Sequence, residues 1–350
     1  MASSKPQLGI QSPVHCQLCE RDPKISWKCL ECDLLMCSAC KNNIHTKIKT
    51  AGEHRILAIK DIGSSPSSVP SKIDMALVET YQTKLNPVQE LAVSSDGSLW
   101  ISDGHRKKRI RLFTSHTGLQ KVRCEGNELK VISCFNTGVF DIAVTPDNDL
   151  LIADDESKLK LIKSGTNKVV DSVYDLDPSY PVAIHVTRKN KIIVGTGGGK
   201  VVVMDKNGKH EKVYEKGSTK DTLVYPWQIT ATSNDDIFIV DYKTENNKRV
   251  VVLGRENIIN TYFGHSVINT EDRPFYPHDL TTTPSDNVIV ADGCNFLHIL
   301  NSFGYLVTYV NIEDKGVRFP YCIGLATEEQ SCMLYIGTFE KIHKLNLIGC

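Results

Sequence analysis

From about residue 85 onward the chain alternates short apolar runs with polar turns, and the alternation repeats. The copies read NPVQELAVSSDGSLWISD, GVFDIAVTPDNDLLIAD, YPVAIHVTRKNKIIVGT, YPWQITATSNDDIFIVD, YPHDLTTTPSDNVIVAD and FPYCIGLATEEQSCMLYIGT. Their anchoring apolar residues, Leu91, Ile142, Ile184, Ile229, Leu280 and Ile323, are spaced by 51, 42, 45, 51 and 43 residues. That period is the length of a propeller blade. In four copies an aspartate (Asp103, Asp154, Asp241, Asp292) lies 12 residues beyond its anchor. Asp96-Gly97, Asp147-Asn148 and Asn207-Gly208 carry hairpin chemistry between the runs. The near-continuous apolar strands suit burial on both faces between stacked blades. The pattern predicts a mainly β fold, a six-bladed β-propeller over 73–350. The sixth copy runs out near Leu345, so an apolar stretch at 75–83 is expected to supply its fourth strand and close the ring, removing exposed sheet edges.

The first 60 residues follow a different pattern, in which cysteines take the place of the apolar stripe. Six of the 12 cysteines fall between residues 16 and 40. The donors run Cys16-x2-Cys19-x9-Cys29-x2-Cys32-x4-Cys37-x2-Cys40-x4-His45-x8-His54. Eight soft or borderline donors suit two tetrahedral zinc ions, and they leave no open position for catalysis. Shared in order, Cys16, Cys19, Cys29 and Cys32 hold one ion. Interleaved, Cys16, Cys19, Cys37 and Cys40 hold one, and Cys29, Cys32, His45 and His54 the other. Interleaving staples both ends of a segment too small for an adequate core. The expected organisation is a disordered 1–13, a zinc-binding segment at 14–60, and a Ser/Pro-rich linker at 62–72 (IGSSPSSVPSK).

The ligand series and the text around it, CQLCERDPKISWKCLECDLLMCSACKNNIH, resemble the B-box zinc finger of tripartite-motif proteins. The repeats resemble NHL repeats, which open on Pro-x-x-[IL]-A-V and end a strand on Ala-Asp. Together they are similar to a TRIM-NHL protein that lacks its RING and coiled coil. The resemblance implies the interleaved cross-brace, with two structural zinc ions. It also implies a place in ubiquitin signalling, and RNA binding on the propeller of some relatives. Copy three departs from the pattern with Gly195-Thr196 where others carry Asp.

Composition narrows the function. The 41 basic and 41 acidic residues cancel, which argues against wholesale nucleic-acid coating. The apolar runs are strand-sized, so no membrane span is expected. The first 15 residues carry no apolar core of a secretory signal. A cytoplasmic protein is therefore expected, or a nuclear one if the basic run from His105 to Arg111 serves import. Cysteines in a reducing compartment point to metal rather than disulfides; the scattered ones are expected to be small buried hydrophobes.

Strand order in a blade brings the loops before each first strand to one face, near the central opening. Arg106, Lys107, Lys108, Tyr180, Tyr225, Trp227, Phe275, Tyr276, His278, Phe319 and Tyr321 are placed there, with the Lys243–Arg249 loop. Aromatic and basic residues together suit a protein or peptide partner, or single-stranded RNA by stacking. The blander alternative is rim packing and a solvated charge run. The offset aspartates could be catalytic, but a residue repeated at one place in successive blades more simply caps a turn. No nucleophile with a base partner is evident. The expectation is a non-catalytic zinc-binding adaptor, with a ubiquitin ligase acting through the B-box and an RNA regulator as alternatives.

Overall fold

The computed structural model describes residues 16, 18–19, 26–29, 34–47, 56–58, 73–104, 118–215, 223–244, 247–328 and 331–349. The chain divides into two compact units, Met1–Pro70 and Ser71–Cys350.

In the first unit, strand Trp27–Cys29 lies between Leu34–Met36 and Ile56–Ala58 in an antiparallel sheet. Helix Ser38–Asn43 follows directly, and Cys37 caps it: the Cys37 Sγ accepts the Cys40 N–H at 3.4 Å. The described interior is Cys16, Cys29, Met36, Cys37 and Cys40, with Leu18, Trp27 and Ile56 against it. Thiols rather than aliphatic groups dominate that interior. Trp27 is clamped from outside, its Nε1 donating to Ser38 Oγ at 3.0 Å and the Lys41 ammonium 3.4 Å above its ring.

The second unit is a six-bladed β-propeller of four-stranded antiparallel sheets. Blade 1 comprises Glu90–Val93, Leu99–Ser102, Leu119–Glu125 and Glu128–Phe135. Blades 2 to 5 begin with Asp141–Val144, Pro181–Val186, Pro226–Ala231 and Pro277–Thr282, and end with Val169–Asp175, His210–Tyr214, Ile258–Tyr262 and Leu306–Asn311. Blade 6 takes Cys322–Glu328, Ser331–Gly337 and Lys341–Ile348 from the C-terminus and Asp74–Gln82 as its outer strand. Leu345 pairs with Leu77 and Ile348 with Asp74, so the two ends of the ring are joined by a backbone ladder.

Cohesion comes from aliphatic layers between neighbouring blades. Leu151 and Ala153 of blade 2 pack with Ile184, Ile192 and Val194 of blade 3. Across the closure, Leu99 and Ile101 of blade 1 pack with Cys322, Tyr335 and Ile342 of blade 6. Strand alternation explains this: residues of one strand point to both faces, and each face meets another blade. The six anchors, 4–8% exposed, all line a central channel.

Two kinds of bulge shape the blades. Every third-to-fourth strand pair carries a register shift, which twists the outer edges and blunts them against further pairing. The first strands of blades 3, 4 and 5 carry another, just after their Tyr-Pro. The residues skipped there are Val182, Trp227 and His278.

Candidate functional site

The sulfurs of Cys16, Cys19, Cys37 and Cys40 lie within 4.8 Å of one another, and Cys16, Cys37 and Cys40 are buried. A tetrahedral ion with Zn–S near 2.3 Å needs sulfurs about 3.8 Å apart, so four thiolates in this arrangement could bind one metal ion. The local electrostatics suit thiolates. Burial raises the Cys16 thiol, but hydrogen bonds from the Cys37, Leu18 and Cys19 backbone outweigh it and bring its pKa down to about 6. Burial and the neighbouring sulfurs push Cys40 well up. Adjacent thiols thus resist losing all their protons together, a repulsion that a divalent cation would remove. The quartet joins the first cysteine pair to the third, as interleaving requires, and not to the second. Of the other expected set, Cys29 and His45 are fully buried, while Cys32 and His54 lie outside the described residues. The findings thus support one ion; a second remains an expectation.

On the propeller, an aromatic arc crosses blades 4 to 6. Trp227 stacks on Tyr242 at 4.8 Å with 15° between the planes, and Tyr225 tilts against it at 6.2 Å. Tyr242 meets Tyr276 at 6.3 Å, Tyr276 meets His278 at 4.8 Å, and His278 meets Tyr321 at 5.4 Å. Phe339 continues the series, edge-on to both Tyr321 and Phe319. Tyr276, Phe319 and Phe339 are exposed. Bulging explains part of the arc, since an extra residue in the strand re-aims its side chain; Trp227 and His278 are those residues. Gly293 leaves room for the imidazole, because a Cβ there would lie 2.9 Å from His278 Nε2. Phe319 holds a left-handed φ of 54° with its N–H on Asn295 Oδ1 at 2.8 Å. Holding an exposed phenylalanine in that conformation costs on the order of 1 kcal/mol.

The offset aspartates secure these loops. Asp241 Oδ1 accepts the N–H groups of Val224 and Tyr225, both at 2.9 Å, and its Oδ2 faces the Arg249 guanidinium at 2.9 Å. Asp292 accepts from the Tyr276 and Cys294 backbone and from Asn269, and lies 3.2 Å from His298 Nε2. Both therefore cap the loop before the first strand. Asp154 caps locally, accepting from the Glu156 N–H.

Several placements differ from the sequence reading. Phe275 is in the core, against Tyr262 and His298. Tyr180 lies apart from the arc's ring contacts, against Phe140 at 6.2 Å. Lys248 and Arg249 belong to strand Asn247–Leu253 and are buried rather than solvated. Arg106, Lys107 and Lys108 lie outside the described residues. Tyr242 and Phe339 were not evident from sequence, and the Tyr242–Lys248 pairing arises only from hairpin register. Among scattered cysteines, Cys322 is a buried hydrophobe, but Cys134 is exposed and Cys332 is disulfide-bonded.

The channel, about 230 Å³, is lined by inner strands of all six blades. Gln228 Nε2 reaches from blade 4 to Glu90 of blade 1 at 3.0 Å. Asp141 accepts the Ile142 and Ile184 N–H groups at 2.7 and 2.6 Å; Asp279 accepts those of Leu280 and Ile323 at the same distances. Each carboxylate thus stitches its blade to the next. Burial outweighs these bonds and raises Asp141 to about 8 and Asp279 to about 7. Among the described residues, only the cysteine quartet gathers metal-capable donors closely enough to share an ion.

The sequence matches no protein-family model and no curated protein. Solved structures do share the fold. A gluconolactonase of Xanthomonas campestris is 10% identical, with TM-score 0.57, over 79% of this chain and 91% of that one. A putative gluconolactonase is 11% identical, with TM-score 0.52, over 80% and 93%. A catalytically inactive virginiamycin B lyase of Staphylococcus aureus, crystallised with quinupristin, is 15% identical, with TM-score 0.50, over 79% and 100%. At such identities the likeness extends to the propeller fold alone. No helix among the described residues is long and apolar enough to cross a membrane.

Proposed function

We propose that the chain is a non-catalytic interaction protein of TRIM-NHL type, a zinc-held B-box joined to a propeller that docks a protein or peptide partner on the arc of blades 4 to 6. The observation that carries this reading is the arc itself. Its rings run continuously from Tyr225 to Phe319, and three of them are exposed at one end or the middle. Tyrosine, tryptophan and phenylalanine supply large contact area at low conformational cost, which is why they dominate binding hot spots. Phe319 keeps its ring exposed in a left-handed backbone conformation, and presentation to a partner accounts for that cost. The B-box resemblance rests on the donor series and is supported by the proximity of the first and third cysteine pairs. A role within ubiquitin signalling rests on that resemblance.

The test is quantitative affinity purification with the full chain, with and without nuclease, comparing wild type with Trp227→Ala/Phe319→Ala. Nuclease-resistant partners that fall at least fivefold on the variant support the reading. An unchanged partner set, or recovery that disappears with nuclease, rejects it.

A further inference from the structure

The middle of the arc holds polar groups that the fold leaves over. Tyr276, His278 and Tyr321 stand side by side, with centroid steps of 4.8 and 5.4 Å. Among the described residues, their two phenol hydroxyls and both imidazole nitrogens have no hydrogen-bond partner. Elsewhere the fold engages its phenols: the hydroxyls of Tyr174, Tyr214, Tyr242 and Tyr262 each meet a carbonyl or a histidine. We propose that this row receives a proline-rich segment of a protein partner in the polyproline II conformation, its pyrrolidines packing on the rings and its carbonyls accepting from the hydroxyls. This rests on the reading of the arc as a docking face and names the chemistry it takes.

The row is fixed before a partner arrives. The Tyr276 N–H donates to Asp292 Oδ1 at 3.0 Å, and the Tyr321 N–H to the Gly337 carbonyl at 2.9 Å. His278 is the bulged residue of its strand and fits against Gly293. Tyr276 at one end is 37% exposed, and Phe339 beyond Tyr321 is 49% exposed, while His278 and Tyr321 between them are half-buried. Two open aromatic surfaces thus flank the hydrogen-bonding groups. Phe339 adds a further step of 5.1 Å from Tyr321, edge-on. Three such steps span at most about 15 Å, which about five residues of polyproline II cover at ~3.1 Å each. The segment lies across the row and inserts between no pair of touching rings.

Hydrogen bonding selects the occupant. Polyproline II leaves its carbonyls without internal partners, and proline has no N–H of its own, so such a chain needs donors set among apolar faces. Burial and the nearby Tyr276 phenol raise Tyr321, so its hydroxyl keeps its proton. Burial, reinforced by the Lys248 charge, lowers His278 to about 4, so the imidazole is neutral at pH 7. Lys248 is itself buried, its Nζ 4.3 Å from the centroid of Tyr242 and 2.7 Å from that of Tyr276. That charge disfavours a cationic side chain on Tyr276, and its commitment to the rings keeps it from a phosphate, which calls for a charged donor in direct contact. Neutral donors on aromatic faces complement a neutral proline-rich chain. The chain is also extended beforehand, so docking orders little.

The experiment is calorimetric titration of the full chain with a capped peptide of repeated Pro-Pro-Leu, the same peptide with alanine for every proline, a capped phosphotyrosine peptide and oligouridylate. Wild type should bind the proline peptide roughly tenfold more tightly than the alanine peptide. Tyr276→Phe/Tyr321→Phe keeps both rings and removes only the hydroxyls, and should weaken that binding about tenfold. Circular dichroism checks that the variant keeps its fold. No binding of the proline peptide to wild type, equal binding of both peptides, or binding indifferent to the double variant overturns the proposal. Binding of the phosphotyrosine peptide or of oligouridylate that is lost on the double variant also overturns it, by assigning the hydroxyls to an anion. None of these results alters the partner set measured with Trp227→Ala/Phe319→Ala, so the proline-rich ligand can fail while the docking face stands.

Discussion

The two units keep their interiors by opposite means. In the propeller, aliphatic layers such as Ile289, Leu297 and Leu334 are wholly buried between blades, and the hydrophobic effect suffices. In the first unit, three of the five described residues that fill the interior around Met36 are thiols of one quartet. A unit that small must be held by something other than apolar area. On the proposed reading the contrast teaches where each unit is vulnerable: one to loss of a metal ligand, the other to loss of packing or of its buried polar stitches.

The largest expected effect separates the units directly. Chelation, or Cys37→Ala, should unfold the first unit, because a structural zinc contributes on the order of 10 kcal/mol to such folds. Limited proteolysis should then cut within 1–70 and spare 71–350. A first unit that stays protected after chelation would break the comparison.

Next, Asp241→Ala should destabilise the propeller by about 3–5 kcal/mol, since it leaves a buried guanidinium and two loop N–H groups without their acceptor. Denaturant unfolding reads this, and the first unit should not respond. A loss below about 1 kcal/mol would show that the stitch is dispensable.

Acidity provides a third, smaller test. Asp141 and Asp279 hold their protons to about pH 8 and 7 in the fold, against about 4 unfolded. Their contribution is full below pH 4 and is lost as pH rises through those values. Burial lowers His185, His278 and His343 to about 4, so each adds stability between pH 4 and 6.5, opposing the aspartates there. Above pH 6.5 the aspartates act alone, and propeller stability should fall by about 2 kcal/mol towards pH 8. Denaturation midpoints at pH 6.5, 7.2 and 8 check this; a flat or rising series contradicts it.

The smallest effect is the most telling about function. Phe319→Gly relieves the left-handed backbone and should leave stability unchanged or raise it by about 1 kcal/mol, while weakening partner recovery. Stability lost together with binding would make Phe319 a packing residue after all.

Periodicity exposed the propeller because each blade repeats one physical problem: an inner strand that must face the channel and both neighbours. Hence Leu91 and its five counterparts were readable, as was the capping chemistry of Asp241 and Asp292. The aromatic face was only half legible. Tyr-Pro-Trp and Tyr-Pro-His mark loops, but the bulges at Trp227 and His278 appear only in the strand register. Lys248 and Arg249 look like a solvated basic run, and only the fold shows that an aspartate and two rings absorb them. The cysteine spacing left two pairings open, and proximity of the first and third pairs comes from three dimensions.

The central claim is that blades 4 to 6 present a docking face for a protein. A photo-crosslinking residue placed at Phe319, with a counterpart at the exposed Val173 on the outer strand of blade 2, tests it most directly. The account predicts a discrete protein adduct from position 319 and none from 173. Equal adducts at both positions, or adducts at 319 consisting of RNA, would contradict it.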